Sequence, residues 1–112
     1  MDKALKYQEI ILSVLEEYAS IRRTLMPGVK AQMIIDKENH HYQLLSVGWH
    51  NGRFIYTTAF HFDLVGDKVW IQQNNTDVLI ADELVEKGVA STDIILGFVS
   101  EEARGYTGFA VS

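Results

Sequence analysis

The reactive inventory of this 112-residue chain is small: four histidines, fifteen carboxylates and no cysteine. The lack of cysteine removes thiolate nucleophiles, disulfides and cysteine-based zinc sites together. His61 and Asp63 are the pair with chelating geometry, because residues two apart on a strand project from the same face. They could contribute to a small-molecule or metal site, but a metal needs at least a third donor and the spacing indicates none. A hydrogen-bonded histidine is the plainer reading. His40 and His41 are adjacent, so on a strand they point to opposite faces and cannot share an ion. His50 adjoins the Asn51–Gly52 turn, where solvation accounts for it. The chain has no Gly-rich phosphate loop, no Gly-x-Ser-x-Gly elbow, no His-Glu-x-x-His motif and no acid-x-Lys triplet of the kind metal-dependent nucleases use. Catalytic, metal and cofactor sites are therefore not expected.

The elements that would position these residues are legible. Residues 29–73 hold four apolar runs, VKAQMIID, HYQLLSVGW, FIYTTAFHF and KVWIQQ, separated by short polar turns, the pattern of an antiparallel meander. Ahead of it, Tyr7, Ile10, Ile11, Val14, Leu15, Tyr18, Ile21 and Leu25 recur at helical spacing, and Pro27–Gly28 ends that helix. The helix is about 30–35 Å long, more than the width of four strands, so part of it could overhang. Behind the meander, NNTDVLIADELVEKG reads as a short helix with Thr76 or Asp77 as N-cap and Gly88 just past its end. Ser91 is placed to cap a short turn leading into Ile95–Phe98. The tail carries Tyr106, Phe109 and Val111, and so should dock on the body. The expected fold is a single α+β domain, residues 1–112: a long N-terminal helix on a four-stranded antiparallel meander, then a short helix and a docked C-terminal segment.

Strand parity assigns the faces. Val29, Ala31, Met33 and Ile35 share one side of the first strand, and Leu45, Val47 and Trp49 oppose Tyr42 and Leu44 in the second. Strict alternation in the third puts Phe54, Tyr56, Phe60 and Phe62 together, opposite Ile55, Ala59, His61 and Asp63. A sheet apolar on both faces needs two covers, and one helix supplies only one. The C-terminal segment, a second subunit, or both must supply the other, which makes a homodimer the expected state.

Charge bounds the partners. Residues 1–76 carry equal numbers of acidic and basic side chains, so the whole net charge of −5 falls in residues 77–112. Clustered Lys and Arg, the footprint of phosphate-backbone binding, are missing, and direct nucleic-acid binding is disfavoured. The acidic third is either a solvated surface or a patch for a basic partner. No apolar run is long enough to span a membrane, and MDKALKYQE lacks a signal-peptide core, so a cytoplasmic protein is the expectation.

Several words of the chain, HYQLLSVGW (41–49), KVWIQ (68–72), ELVEKGV (83–89), DIILGF (93–98) and TGFAVS (107–112), resemble in order the XisI family, the cyanobacterial fdxN-element excision controlling factors. The resemblance runs from Tyr7 to the C-terminus. Ala90 and Glu102 stand where the family often has proline, both in loops. The resemblance implies a role in excising a DNA element during heterocyst development, alongside the recombinase XisF and the companion XisH. XisH-like proteins resemble nucleases and are commonly encoded beside XisI-like ones, so the chemistry would belong to other chains. No catalytic residues carry over. The combined expectation is a non-enzymatic regulatory factor that binds a XisH-like protein, with Glu101, Glu102 and Arg104 as charged contacts and Trp49 and Trp70 as aromatic anchors. The alternative is a small-molecule or metal-binding protein, or enzyme, with its site at His61 and Asp63.

Overall fold

The computed structural model describes residues 2–112. The first element is α1 (Lys3–Leu25), whose N-terminus is capped by Asp2 through a bond from the Ala4 amide, with Arg22 and Arg23 complementing the dipole at its last turn. Four strands follow as a meander: β1 (Val29–Asp36), β2 (His41–His50), β3 (Arg53–Val65) and β4 (Lys68–Asn74). Asn51 (φ 51°) and Gly52 (φ 75°) make the tight β2–β3 turn, whose two left-handed positions suit these two residues.

A helix, α2 (Ile80–Glu86), then crosses back to a fifth strand, β5 (Ile94–Leu96), which pairs parallel to β4. The sheet is therefore five-stranded, in the order β1-β2-β3-β4-β5, where the sequence pattern indicated four. Three residues are too few to show a strand period, and parallel pairing leaves no hairpin signal. The start of α2 also differs from expectation. Leu79 occupies the N-cap, because Thr76 is engaged earlier: its amide and hydroxyl donate to Asn74 Oδ1, and its hydroxyl accepts from the Val78 amide. Gly88 (φ 116°) follows the helix as anticipated.

The core lies between α1 and one face of the sheet. Tyr7, Ile11, Val14, Leu15 and Ala19 pack on Tyr42, Leu44, Phe60, Phe62, Leu64, Val69, Ile71 and Ile94, with Ile80 and Leu84 closing one end. The helix outruns its cover: Leu25 remains in phase with the apolar stripe yet is 69% exposed.

Strict alternation fails in β3. Trp49 through Leu45 pair with Phe54 through Thr58, but Leu44 pairs with Phe60, leaving Ala59 as an extra residue. This is a β-bulge. Ala59 and Phe60 are both buried, and beyond them every side chain changes face. Phe60 and Phe62 point into the core, whereas Phe54 and Tyr56 lie on the outer face with Trp49, correcting the grouping of all four. A second bulge, at Gln72 in β4, lets His61 pair with Gln73 while Phe62 pairs with Ile71.

A polar bridge ties the start of α1 to the segment that leads into β5. Tyr7 donates a 2.5 Å hydrogen bond to Asp93, Lys3 pairs with the same carboxylate at 3.0 Å, and the Ala90 amide donates to the Tyr7 hydroxyl. The Tyr7 hydrogen bond, against the opposing effect of burial and with help from Lys3, holds the Asp93 carboxyl below its usual range. A carboxyl depressed in the folded state stabilises above its unfolded pKa, about 3.9, and the contribution is lost as pH falls through the folded value. Tyr7→Phe should lower the unfolding free energy at neutral pH by about 1.5–3 kcal/mol in urea titrations, and the difference should shrink in acid. An unchanged denaturation midpoint would refute the bridge's role.

Candidate functional site

The outer face of the sheet carries one continuous cross-strand row: Asp36, His41, Asp63, Trp70 and Ile95 stand opposite one another on the five strands. His61 joins this row from two residues back along β3. His41 Nδ1 lies 2.7 Å and His61 Nε2 2.8 Å from the same oxygen, Asp63 Oδ1. Gln72 donates to the other oxygen at 3.1 Å. Gln72 in turn packs on Gly97, where an added Cβ would sit 2.2 Å from its Oε1, so only glycine leaves room for this arrangement. His41 is 53% exposed at its side chain and Asp63 16%, so the cluster opens to solvent on the histidine side.

The electrostatics follow from the contacts. Burial works to raise the Asp63 pKa, but hydrogen bonds from His41, His61 and Gln72 outweigh it and hold the carboxyl below its usual range. The hydrogen bond to Asp63 raises the His41 pKa, and the charges of Asp63 and Asp36 add to it. The donor set, two imidazoles and one carboxylate, could hold a divalent transition metal.

Sequence spacing paired His61 with Asp63 but missed His41. The Ala59 bulge explains this. Continuing the register of the β2–β3 turn would set His41 against Phe62, on the opposite face from Asp63; the extra residue moves it to Asp63.

The five residues expected to bind a partner do not form one cluster. Trp49 is well exposed and packs against Phe54 with ring centroids 5.4 Å apart. Trp70 stands opposite Asp63, whereas Trp49 stands opposite Phe54, which separates the two tryptophans by roughly 30 Å along β3. Arg104 lies 5.1 Å over the Trp70 ring and donates to the Val99 and Val111 carbonyls, fastening the C-terminal segment. Glu101 and Glu102 are exposed in the first turn of a short 3₁₀ helix, Glu101–Tyr106, and make no ion pair among the described residues.

The outer face is consequently covered at one end only. At the β4–β5 edge the Ala110 amide donates to the Ile94 carbonyl, Arg104 sits on Trp70, and Ile95 is fully buried. At the other end Trp49, Phe54 and Tyr56 are each more than half exposed, and the β1 residue level with Tyr56 is Lys30. A separate apolar cleft of about 190 Å³ lies between β4, α2 and the C-terminal segment, lined mainly by Ile71, Val78, Leu79, Leu96, Phe98 and Phe109. Its Asn74 side chain is engaged with the Val78 carbonyl and Thr76. No helix among the described residues is long and apolar enough to cross a membrane.

Comparison with known proteins places this architecture. Residues 1–111 match the family described as XisI protein. The crystal structure of a XisI-like protein from Anabaena variabilis ATCC 29413 superposes with a TM-score of 0.88 at 41% identity, over 97% of this chain and 99% of the other. That of the fdxN element excision controlling factor XisI from the same organism gives 0.83 at 31% identity, over 99% and 100%. No curated protein matches significantly.

The hydrogen bond to Asp63 has a spectroscopic consequence. In an NMR titration of metal-free protein, His41 should titrate above the usual histidine value near 6.5, and Asp63→Asn should move it back towards that value. Because the folded pKa is raised, the stabilisation is complete below the unfolded value and is lost as pH rises through the folded one. An ordinary His41 titration in the unaltered chain would contradict this geometry.

Proposed function

Since the chain belongs to the XisI family, we propose that it is a non-enzymatic accessory factor in the control of programmed DNA-element excision, acting by binding a XisH-like protein. The observation that carries this reading is the uncovered aromatic end of the sheet. Trp49, Phe54 and Tyr56 present three large rings to solvent on rigid strands. Rigid, exposed aromatic residues are what interface hot spots are made of, since they bury much apolar area with little loss of side-chain freedom. Lys30 stands in the same cross-strand row as Tyr56 and adjoins the patch, while the net negative charge belongs to residues 77–112. The surface therefore offers an apolar anchor beside a single lysine, and a separate acidic region at Glu101 and Glu102 that can steer a basic partner.

The role in excision rests on family membership and on the similarity to the fdxN element excision controlling factor XisI. The uneven charge favours a protein partner over direct contact with DNA, because phosphate binding calls for clustered cations. The same aromatic end could instead meet a second copy of the chain, and a homodimer would cover it.

Co-expression with a XisH-like protein, followed by purification and light scattering, tests the reading. A stable heteromeric complex is expected. Trp49→Ala should weaken it by at least 2 kcal/mol, roughly 30-fold, if the ring is a hot spot. Charge reversal by Glu101→Lys with Glu102→Lys should slow association and alter its salt dependence. A complex indifferent to Trp49→Ala would refute the aromatic anchor. A chain that pairs only with itself would refute the XisH-like partner.

A further inference from the structure

The geometry points to a mononuclear site for a divalent transition metal, zinc or a close relative, held by His41, His61 and Asp63. The three residues each offer one donor atom, and these atoms all lie within 4.8 Å of one another. Two are imidazole nitrogens that converge on a single carboxylate oxygen at 2.7 and 2.8 Å. Each of those contacts is now bridged by a proton. A metal ion would take the place of the protons, with bonds of about 2.0–2.2 Å to nitrogen and oxygen. Tetrahedral donors at that bond length stand about 3.3 Å apart, so each nitrogen must open from the carboxylate oxygen by about half an ångström, while the two nitrogens, within 4.8 Å of one another, close by at most about 1.5 Å. His41, half-exposed at the edge of the cluster, has the freedom to make that adjustment.

The surroundings fit a metal centre better than a chance meeting of surface groups. His41 and Asp63 are directly opposed on neighbouring hydrogen-bonded strands, and His61 shares a strand with Asp63, so the backbone fixes all three. Gln72 donates to the oxygen that faces away from the histidines, holding the carboxylate in orientation from outside the donor set. Gly97 leaves space for Gln72 to do so. Imidazole nitrogen selects zinc, cobalt, nickel or iron over magnesium and calcium, which prefer sites built from oxygen alone. Three protein donors on an open face leave a coordination position for water or for a side chain of a partner. The proposal does not depend on the accessory-factor reading, since the metal site and the aromatic end occupy opposite ends of the outer face.

Calorimetric titration of the full chain, purified without a histidine tag, with Zn²⁺ tests the site, and Co²⁺ absorption reports on its geometry. One Zn²⁺ per chain with micromolar or tighter affinity is expected, and Co²⁺ should give the intense visible bands of a low-coordinate nitrogen–oxygen site. His41→Ala removes a half-exposed ligand and leaves the core untouched, so the variant should fold; its affinity should fall roughly 100-fold or more, with Asp63→Asn behaving alike and Gln72→Ala losing about tenfold. His50→Ala should change nothing. Failure to saturate with Zn²⁺, or binding that survives His41→Ala but is lost in His50→Ala, would overturn the proposal.

Discussion

Ala59 gives β3 one residue more than β2 has to match, and what the outer face contains depends on that excess. On the turn side of the bulge, Phe54 and Tyr56 leave the core and lie beside Trp49. On the far side, Phe60 and Phe62 enter the core and stack on each other, with Tyr18 edge-on to Phe60. The same step brings His41 level with Asp63. A side chain with a period of two has only two places to go, so one inserted residue exchanges them all. The aromatic patch and the histidine–carboxylate cluster are thus two results of one backbone irregularity. Strain in the backbone is not needed to produce them.

The covering of that face is uneven for reasons that also trace to particular residues. Arg104 reaches two carbonyls while its guanidinium lies on Trp70, and Ala110 binds the edge of β5. These contacts hold the C-terminal segment against the β4–β5 edge and bury Ile95. Beyond that edge the segment does not extend over Trp49, so the face stays open where its rings are largest. The other side has a continuous cover. There α1 supplies apolar side chains to the core, and Arg22, half-buried, donates to the buried Ser46 hydroxyl. Tyr18 joins α1 to α2 through a 2.6 Å bond to Glu83.

Much of this was legible in the sequence. The meander announced itself through runs of apolar residues broken by polar turns, and Asn51–Gly52 fixed the β2–β3 hairpin. The helical stripe of α1 holds from Tyr7 to Tyr18; in the tail only Phe109 of the three large apolar residues packs on the core, Tyr106 and Val111 staying exposed while Arg104 and Ala110 make the fastening contacts. The fifth strand escaped notice because Ile94–Leu96 is short and finds its partner across a helix. The N-cap of α2 was misplaced because the Thr76 hydroxyl serves a turn instead. The candidate site was half legible: His61 and Asp63 follow from alternation within a strand, but His41 belongs to the cluster only through a bulge, and nothing local in TTAFHF marks where the extra residue falls. The part played by Arg104 was hidden likewise, since a charge in a tail does not reveal that it will stack on a tryptophan more than thirty residues earlier.

The register across the bulge can be measured directly, because a chain without native cysteine allows engineered pairs to be read without interference. Directly opposed residues have Cβ atoms about 4.5–5.5 Å apart, close to what a disulfide spans. Leu45→Cys with Thr58→Cys samples the register on the turn side, and Gln43→Cys with His61→Cys samples it beyond Ala59. Both pairs should oxidise to intramolecular disulfides under mild conditions. If the first pair closes and the second does not, His61 lies on the other face, and the outer-face assignment of the cluster is wrong.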